Sequence, residues 1–380
     1  MRIADFLDLP ERPDLDAFIT RLDDTEDRVR KNLQQFVERG HAVTVIGPSA
    51  DHYYSGMGPG MLGKTYRPEE IRFAVKRMTE TRGGTFVTGK AQSLDPDRKI
   101  VRLEDGQEIP YDVASCNAGS YVPGLEGLDE SENIFAVKPI ERLQQAQKKI
   151  IQLGENGSGR IAIIGGGASS VEVAGNIVAL LQKHNLKGVS VQIFAGKGLM
   201  SRFPAWIGAH AEKTLATRGV QIHKGSYVSG MAGGEITLVS GETHPADLIF
   251  LARGVKPSRI FADSNLPTGP DGGLLVNRHL QCTQYPELFG GGDCIYFEDD
   301  PLDKVGVYAV RQNPILFANL MAALEGGPLQ PFDPGGNYLL IFNLGDGTGI
   351  LSKGFWRLTG KLAFKVKDYI DRKFIKAFKA

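Results

Sequence analysis

Three consecutive glycines, Gly165, Gly166 and Gly167, follow directly on the apolar run Ile161–Ile164. After them come small or apolar residues at Val171, Ala174, Ile177 and Leu180/Leu181. A short apolar run suits a buried parallel strand, and the later spacing suits one face of a helix. Strand, glycine turn and helix in that order put backbone N–H groups and a helix N-terminus where a pyrophosphate can be held. Gly165 permits the tight turn and Gly167 lets the backbone approach the phosphates. Ser170, standing where a third glycine is usual, is still small enough for close helix–strand packing. A second strand, Val189–Phe194, arrives where a βαβ unit requires it. The reading is a Rossmann-type unit holding a nicotinamide dinucleotide, NAD(P)H, and the plain alternative is a glycine turn with no ligand. Beyond the second strand an acid commonly binds the ribose of NAD, but here stand Ala195, Gly196 and Lys197, with Arg202 nearby. Missing acid and added base tilt toward a 2′-phosphate, while two solvated charges explain them equally. NADH or NADPH stays open.

The elements around this unit repeat a layout. Gly234 to Ser258 reads as a strand, a turn at Ser240-Gly241 and an apolar strand, Leu248–Ala252, that ends at Gly254. Arg98 to Gly124 reads the same way, with a turn at Asp105-Gly106 and an apolar strand ending at Gly119. Two related nucleotide-binding modules in one chain account for the likeness.

Composition sets the outer bounds. At 380 residues, two or three domains are expected. Lys plus Arg and Asp plus Glu are both 44, so the net charge is zero and nothing points to a nucleic acid partner. Cys116, Cys282 and Cys294 lie far apart and form no CxxC, which suits packing thiols in a reducing cytoplasm. The opening MRIADFLDLPERPD has no apolar core of a signal peptide. No apolar stretch approaches the roughly twenty residues that span a bilayer.

The paired modules resemble the two-dinucleotide-binding flavoproteins, the superfamily of pyridine nucleotide–disulfide reductases. Tyr285 to Asp300 looks like that superfamily's second flavin motif, and the resemblance assigns Asp293, with Gly292, to the flavin side of FAD; a strand ending in a tight turn is the plain alternative. His52 to Phe73, Val137 to Glu141, Lys304 to Pro314 and Gly354 to Phe378 are similar to type II NADH dehydrogenase-like and sulfide:quinone oxidoreductase-like proteins. They also resemble the flavoprotein module sometimes fused to selenide, water dikinase. The likeness covers roughly residues 32–380.

The resemblance implies an α/β fold of two Rossmann-like dinucleotide-binding domains, the first discontinuous, plus a small C-terminal region. Residues 1–125 and 259–325 would form the FAD-binding domain, 126–258 the NAD(P)H-binding domain and 326–380 the remainder. It implies hydride transfer from NAD(P)H to FAD, then electrons onward to an acceptor such as a quinone. Glu172 matches a glutamate near the nicotinamide–flavin junction, and is equally a first-turn acid on a helix dipole. Lys138 would place positive charge near a reduced flavin, against the default of a solvated lysine. Gln312 matches the last glutamine of a quinone-site motif, whereas Val307 departs from its first. The expected catalytic residues are therefore Glu172, Lys138 and Gln312. Those expected to bind cofactor are Gly165, Gly167, Ser170, Gly254, Gly119, Gly292 and Asp293. The cysteines match no disulfide-reductase pair, and sulfide oxidation is disfavoured.

Two segments depart from simple expectation. The superfamily opens with a strand and GxGxxG that seat the ADP half of FAD, but residues 1–31 contain no glycine. The pattern resumes at Asn32, with NLQQFVERG as helix and HAVTVIGPS as second strand. A frameshifted or misassigned start is one explanation; the other is divergence to a non-catalytic dinucleotide-binding pseudo-enzyme that has lost FAD. At the other end, Leu362, Val366, Tyr369, Ile370, Phe374 and Phe378 recur at helical spacing. Lys361, Lys365, Lys367, Arg372, Lys373, Lys376 and Lys379 stand among them against Asp368 and Asp371. Such a helix lies on an anionic membrane, peripheral on its cytoplasmic face, or packs on its own domain or on a second subunit of a homodimer.

Overall fold

A strand with no polar alternation must be covered on both faces, and Ile161–Ile164 is buried throughout. The computed structural model describes residues 32–124, 133–232 and 234–379. The strand Gly159–Ile164 is the middle of a five-stranded parallel sheet, in the order Ile134–Ala136, Leu248–Leu251, Gly159–Ile164, Val189–Ala195, Gln221–Lys224. Helices Glu141–Glu155, Ala168–Lys183 and Ala205–Thr217 pack on it. The helix positions read from the sequence, Val171, Ala174, Ile177, Leu180 and Leu181, are all buried.

Both repeated layouts are antiparallel three-stranded meanders feeding a parallel strand. Val228–Ala232, Glu235–Leu238 and Thr243–Pro245 lead into Leu248–Leu251. Ala91–Asp95, Ile100–Leu103 and Glu108–Pro110 lead into Ala114–Cys116. The turns fall at Gly241 and Gly106, both at positive φ. The strand Ala114–Cys116 pairs in parallel with Leu288–Gly290, so one unit is assembled from segments on either side of the central sheet.

A second parallel pair, Thr44–Gly47 with Thr85–Thr88, is not joined to the first among the described residues. The helix Gly306–Glu325 touches both flanks. Phe317 meets Phe36 with ring centroids 5.2 Å apart, and Leu316 closes on Gly291. The missing opening strand and glycine motif concern residues 1–31, which lie outside the described residues.

Between the two units sits His52 to Phe73. Its short helix Gly58–Leu62 packs on helices Glu141–Glu155 and Ala168–Lys183, with Met57, Met61, Leu62, Tyr66 and Ile71 buried. The C-terminal region is an antiparallel sheet, Leu340–Asn343, Gly349–Lys353 and Trp356–Gly360, crossed by the helix Lys361–Lys379. Ala363, Val366, Ile375 and Ala377 on that helix are buried against the chain's own fold, which is the packing alternative for this segment. Lys367 and Asp371, named among the charges of this helix, are both buried. No helix among the described residues is long and apolar enough to cross a membrane.

The loop Leu344–Gly345 presses on the helix Ala168–Lys183 backbone to backbone. A Cβ added at Gly175 would lie 2.2 Å from the Leu344 carbonyl oxygen, and one at Gly345 2.3 Å from that of Gly175. Neither backbone can move far, so Gly175→Ala should cost about 2–3 kcal/mol, the upper part of the overpacking range. Gly336→Ala, where an added Cβ meets nothing within 4 Å, should stay within about 0.5 kcal/mol. Urea denaturation of the two variants beside the parent checks this, and equal costs would mean the contact bears no load.

Candidate active site

The three glycines after Ile164 differ in what they meet. Gly165 has φ +135°, and a Cβ there would fall 2.1 Å from the Ala252 carbonyl oxygen. At Gly166 it would fall 2.4 Å from the Gly198 carbonyl oxygen. These two are required by the protein's own packing. Gly167, the residue that starts the helix Ala168–Lys183, meets nothing within 4 Å. Its bare backbone opens onto space at a helix N-terminus, where a pyrophosphate fits. Ser170 is fully buried and its Oγ donates to the Ala252 carbonyl oxygen at 3.5 Å, so it does serve close packing. Gly254, at φ +89°, also faces open space just past Leu248–Leu251. Lys197 and Arg202 are exposed, and Tyr227, 52% exposed, leans on Gly196.

A second set of residues gathers at Asp293. Its Oδ2 accepts hydrogen bonds from the Ser120 hydroxyl and the Lys138 ammonium, each at 2.7 Å. Lys138 Nζ also donates to Ser120 Oγ at 2.9 Å. Lys138 is therefore not the solvated lysine of the default reading: it is 27% exposed and its partner Asp293 14%. Gln312 is buried, and its Oε1 accepts the Gly292 N–H at 2.7 Å, bracing the turn that carries Asp293. Gly292 holds φ +73° and Gly119 φ +65°, the latter with open space before it.

Gly119, Lys138, Gly165, Gly254 and Asp293 each follow the C-terminal end of a parallel strand. In open α/β sheets that is where ligands bind. A short antiparallel pair, Ser120–Tyr121 with Lys256–Pro257, ties the two units together beside Gly119 and Gly254. A carboxyl group, an ammonium, a hydroxyl and backbone N–H groups suit the polar linker on the flavin side of FAD. The seat expected for the ADP half falls on residues 1–31, outside the described residues.

Glu172, one turn into the helix after Gly167, forms the third group. Its Oε1 accepts the Asn343 N–H at 2.8 Å. Burial pushes its carboxyl up to about 7, opposed by the Lys367 charge and by the Asn343 N–H. Lys367 in turn is held by the Gly56 carbonyl oxygen and Asp371, and Tyr54 donates to Asp371. Ser120, Asn343, Tyr54, Lys367 and Asp371 were not anticipated from sequence. One signal existed for two of them. Lys367 and Asp371 stand at i and i+4 inside the same helical stripe as Ala363, Val366 and Ile370.

The thiols are not a redox pair. Cys282 and Cys294 are buried and all three cysteines are free. Cys294 Sγ donates to the carbonyl oxygens of Gly291 and Cys116. Burial pushes the Cys294 thiol up to about 11 and raises Cys116 further, the opposite of an activated nucleophile.

The family model described as pyridine nucleotide-disulphide oxidoreductase matches residues 28–314. Ferroptosis suppressor protein 1 of Taeniopygia guttata is 25% identical over 283 residues, covering 71% of this chain and 72% of that protein. Demethylphylloquinone reductase NdbB of Synechocystis is 26% identical over 303 residues, covering 76% and 73%. Among solved structures, the sulfide:quinone oxidoreductase of Aquifex aeolicus superposes with TM-score 0.74 at 18% identity, covering 93% of this chain and 89% of that one. The chain belongs to the pyridine nucleotide-disulphide oxidoreductase family and is an FAD-dependent NAD(P)H oxidoreductase.

Proposed function

We propose that this oxidoreductase takes hydride from NAD(P)H bound at the Gly165–Gly167 turn and passes the electrons on to a quinone. The reading is carried by two sites past the C-terminal ends of parallel strands, the open helix N-terminus at Gly167 and the Ser120–Lys138–Asp293 set, in units tied together where Ser120–Tyr121 pairs with Lys256–Pro257. The packed thiols argue against a disulfide acceptor. A relative named as a demethylphylloquinone reductase supports a quinone. On this reading residues 126–258 are the NAD(P)H-binding domain, residues 1–125 and 259–325 the FAD-binding domain, and residues 326–380 the C-terminal region.

Bound FAD would supply two-electron acceptance from the nicotinamide and delivery to the acceptor. The chain's residues do the rest. Gly167 and the N-terminus of its helix hold the nicotinamide pyrophosphate, while Gly165 and Ser170 set the turn's distance from Ala252. Gly254 and Gly119 leave the backbone bare where the two cofactors approach. Asp293 and Gly292 take the flavin side of FAD. Lys138 holds Asp293 in place, and Gln312 braces its turn. Glu172, with a carboxyl near 7, holds or releases a proton beside the nicotinamide. A membrane surface, where a quinone would be met, is offered Phe355 and Trp356 at the hairpin tip, 102% and 43% exposed, with Arg357 and Lys361 beside them. On the last helix Ala363, Val366, Ile375 and Ala377 are buried against the chain's own fold.

A visible absorption spectrum of the purified chain with FAD, before and after anaerobic NADH or NADPH, is the first test. The flavin band should appear, bleach with reductant and return on adding a short-chain quinone. A colourless chain that takes up no FAD would end the catalytic reading for this polypeptide, and nicotinamide binding alone would lead, as the glycine-free residues 1–31 suggest. Lys138→Met removes two charge-assisted hydrogen bonds and leaves Asp293 facing Ser120 only. FAD affinity, followed by flavin fluorescence, should fall roughly ten- to a hundred-fold, the size of one such bond. Unchanged affinity would show that the ion pair does not hold the flavin side.

A further inference from the structure

Four neighbouring parallel strands of the central sheet end at Ile164, Ala195, Lys224 and Leu251, and the loops that follow them close into a ring. Each link of the ring is a direct contact. An added Cβ at Gly165 would lie 2.1 Å from the Ala252 carbonyl oxygen, and one at Gly166 2.4 Å from that of Gly198. The Met200 N–H donates to the Gly166 carbonyl oxygen at 2.6 Å, and the Gly225 N–H to that of Ala195 at 3.1 Å. A Cβ at Gly196 would lie 2.5 Å from the Tyr227 ring. Arg253 closes the circuit, its guanidinium donating to the Val228 carbonyl oxygen at 2.9 Å. Gly167, with open space before it, starts its helix at this rim.

The rim carries charge of one sign. Residues 165–171, 195–204, 225–228 and 252–258 contain no Asp or Glu, but they contain Lys197, Arg202, Arg253 and Lys256, all exposed. Lys224, the register partner of Ala195, is already paired with Glu212 at 2.7 Å. Neither Lys197 nor Arg202 makes an ion pair among the described residues. Lys197 is also fixed in place from both sides, because Gly196 is held by Tyr227 and Gly198 by Gly166. It is the first charged residue after the second strand of the dinucleotide unit. At that point a carboxylate recognises a ribose with a free 2′-hydroxyl, whereas a cation recognises a 2′-phosphate. This rim lacks the first and supplies the second. We propose that it selects the 2′-phosphorylated nicotinamide, NADPH, and that Lys197 is the selecting residue. The proposal rests on the reading of Gly165–Gly167 as the dinucleotide turn.

Calorimetric titration of the full chain as purified with NADP+ and, separately, NAD+ tests it, since the two differ only in the 2′-phosphate. NADP+ should bind roughly ten- to a hundred-fold more tightly, the size of one hydrogen bond to a charged group. That advantage should shrink as KCl is raised. K197M should remove most of the ratio and K197R should keep it. K197E brings to the rim the carboxylate it lacks and should turn the ratio toward NAD+. Equal affinities in the parent, or tighter NAD+, overturn the proposal and leave the dinucleotide turn standing. A preference for NADP+ that survives K197M and K197E unchanged also overturns it. Binding of neither dinucleotide ends the reading of the turn and this inference together.

Discussion

Two stretches of backbone in contact with no side chain between them, at Gly175 against Leu344 and Gly345, set the spacing around the helix Ala168–Lys183. Arg218 bridges the same contact, donating to the carbonyl oxygens of Gly175 and Leu344. Because the approach is so close, Asn343 comes within hydrogen-bond reach of Glu172, about one turn into the helix that begins at Ala168. The C-terminal sheet is thereby set against the helix that follows the glycine turn, and the last helix packs behind that sheet. Any side chain at Gly175 would push all of these apart together.

How much of this could be read in advance follows from whether the information is local. The strand Gly159–Ile164, its glycine turn and its helix are consecutive, so periodicity and residue size sufficed to find them. The two meanders were legible for the same reason, each being a turn glycine between short strands. Ser120 was not, since its partners lie at Lys138 and Asp293 and nothing near Ser120 announces them. The burial of Lys367 and Asp371 was not legible from their charge. Their angular position, one turn apart on the face that carries Ala363 and Val366, points inward. Resemblance, not spacing, supplied Asp293 and Gln312, and the geometry gives Gln312 a bracing bond to Gly292.

The site also separates two kinds of glycine. Gly165 and Gly166 are fixed by protein backbone already in place, whereas Gly167, Gly119 and Gly254 face open space. A sequence treats the two kinds alike. Only the second kind is free to meet a cofactor, and all three of its members lie at the edges where the two units face one another. Between His52 and Phe73, Gly58, Gly60 and Gly63 are also fixed by the protein's own packing, but against the side chains of Ile140, Tyr66 and Asn176.

The parallel pairing of Ala114–Cys116 with Leu288–Gly290 has a consequence in time as well as in space. The earlier strand leaves the ribosome well before its partner exists, and the delay is roughly ten to thirty seconds at ordinary synthesis rates. The central sheet is complete within one continuous stretch of chain and can fold during that wait. Once folded, it brings Ser120–Tyr121 beside Lys256–Pro257. The long insertion then behaves as a short rigid connection, and little chain entropy is left to oppose the late strand. Until that strand arrives the nascent chain carries an open β edge, which is when it most depends on chaperones.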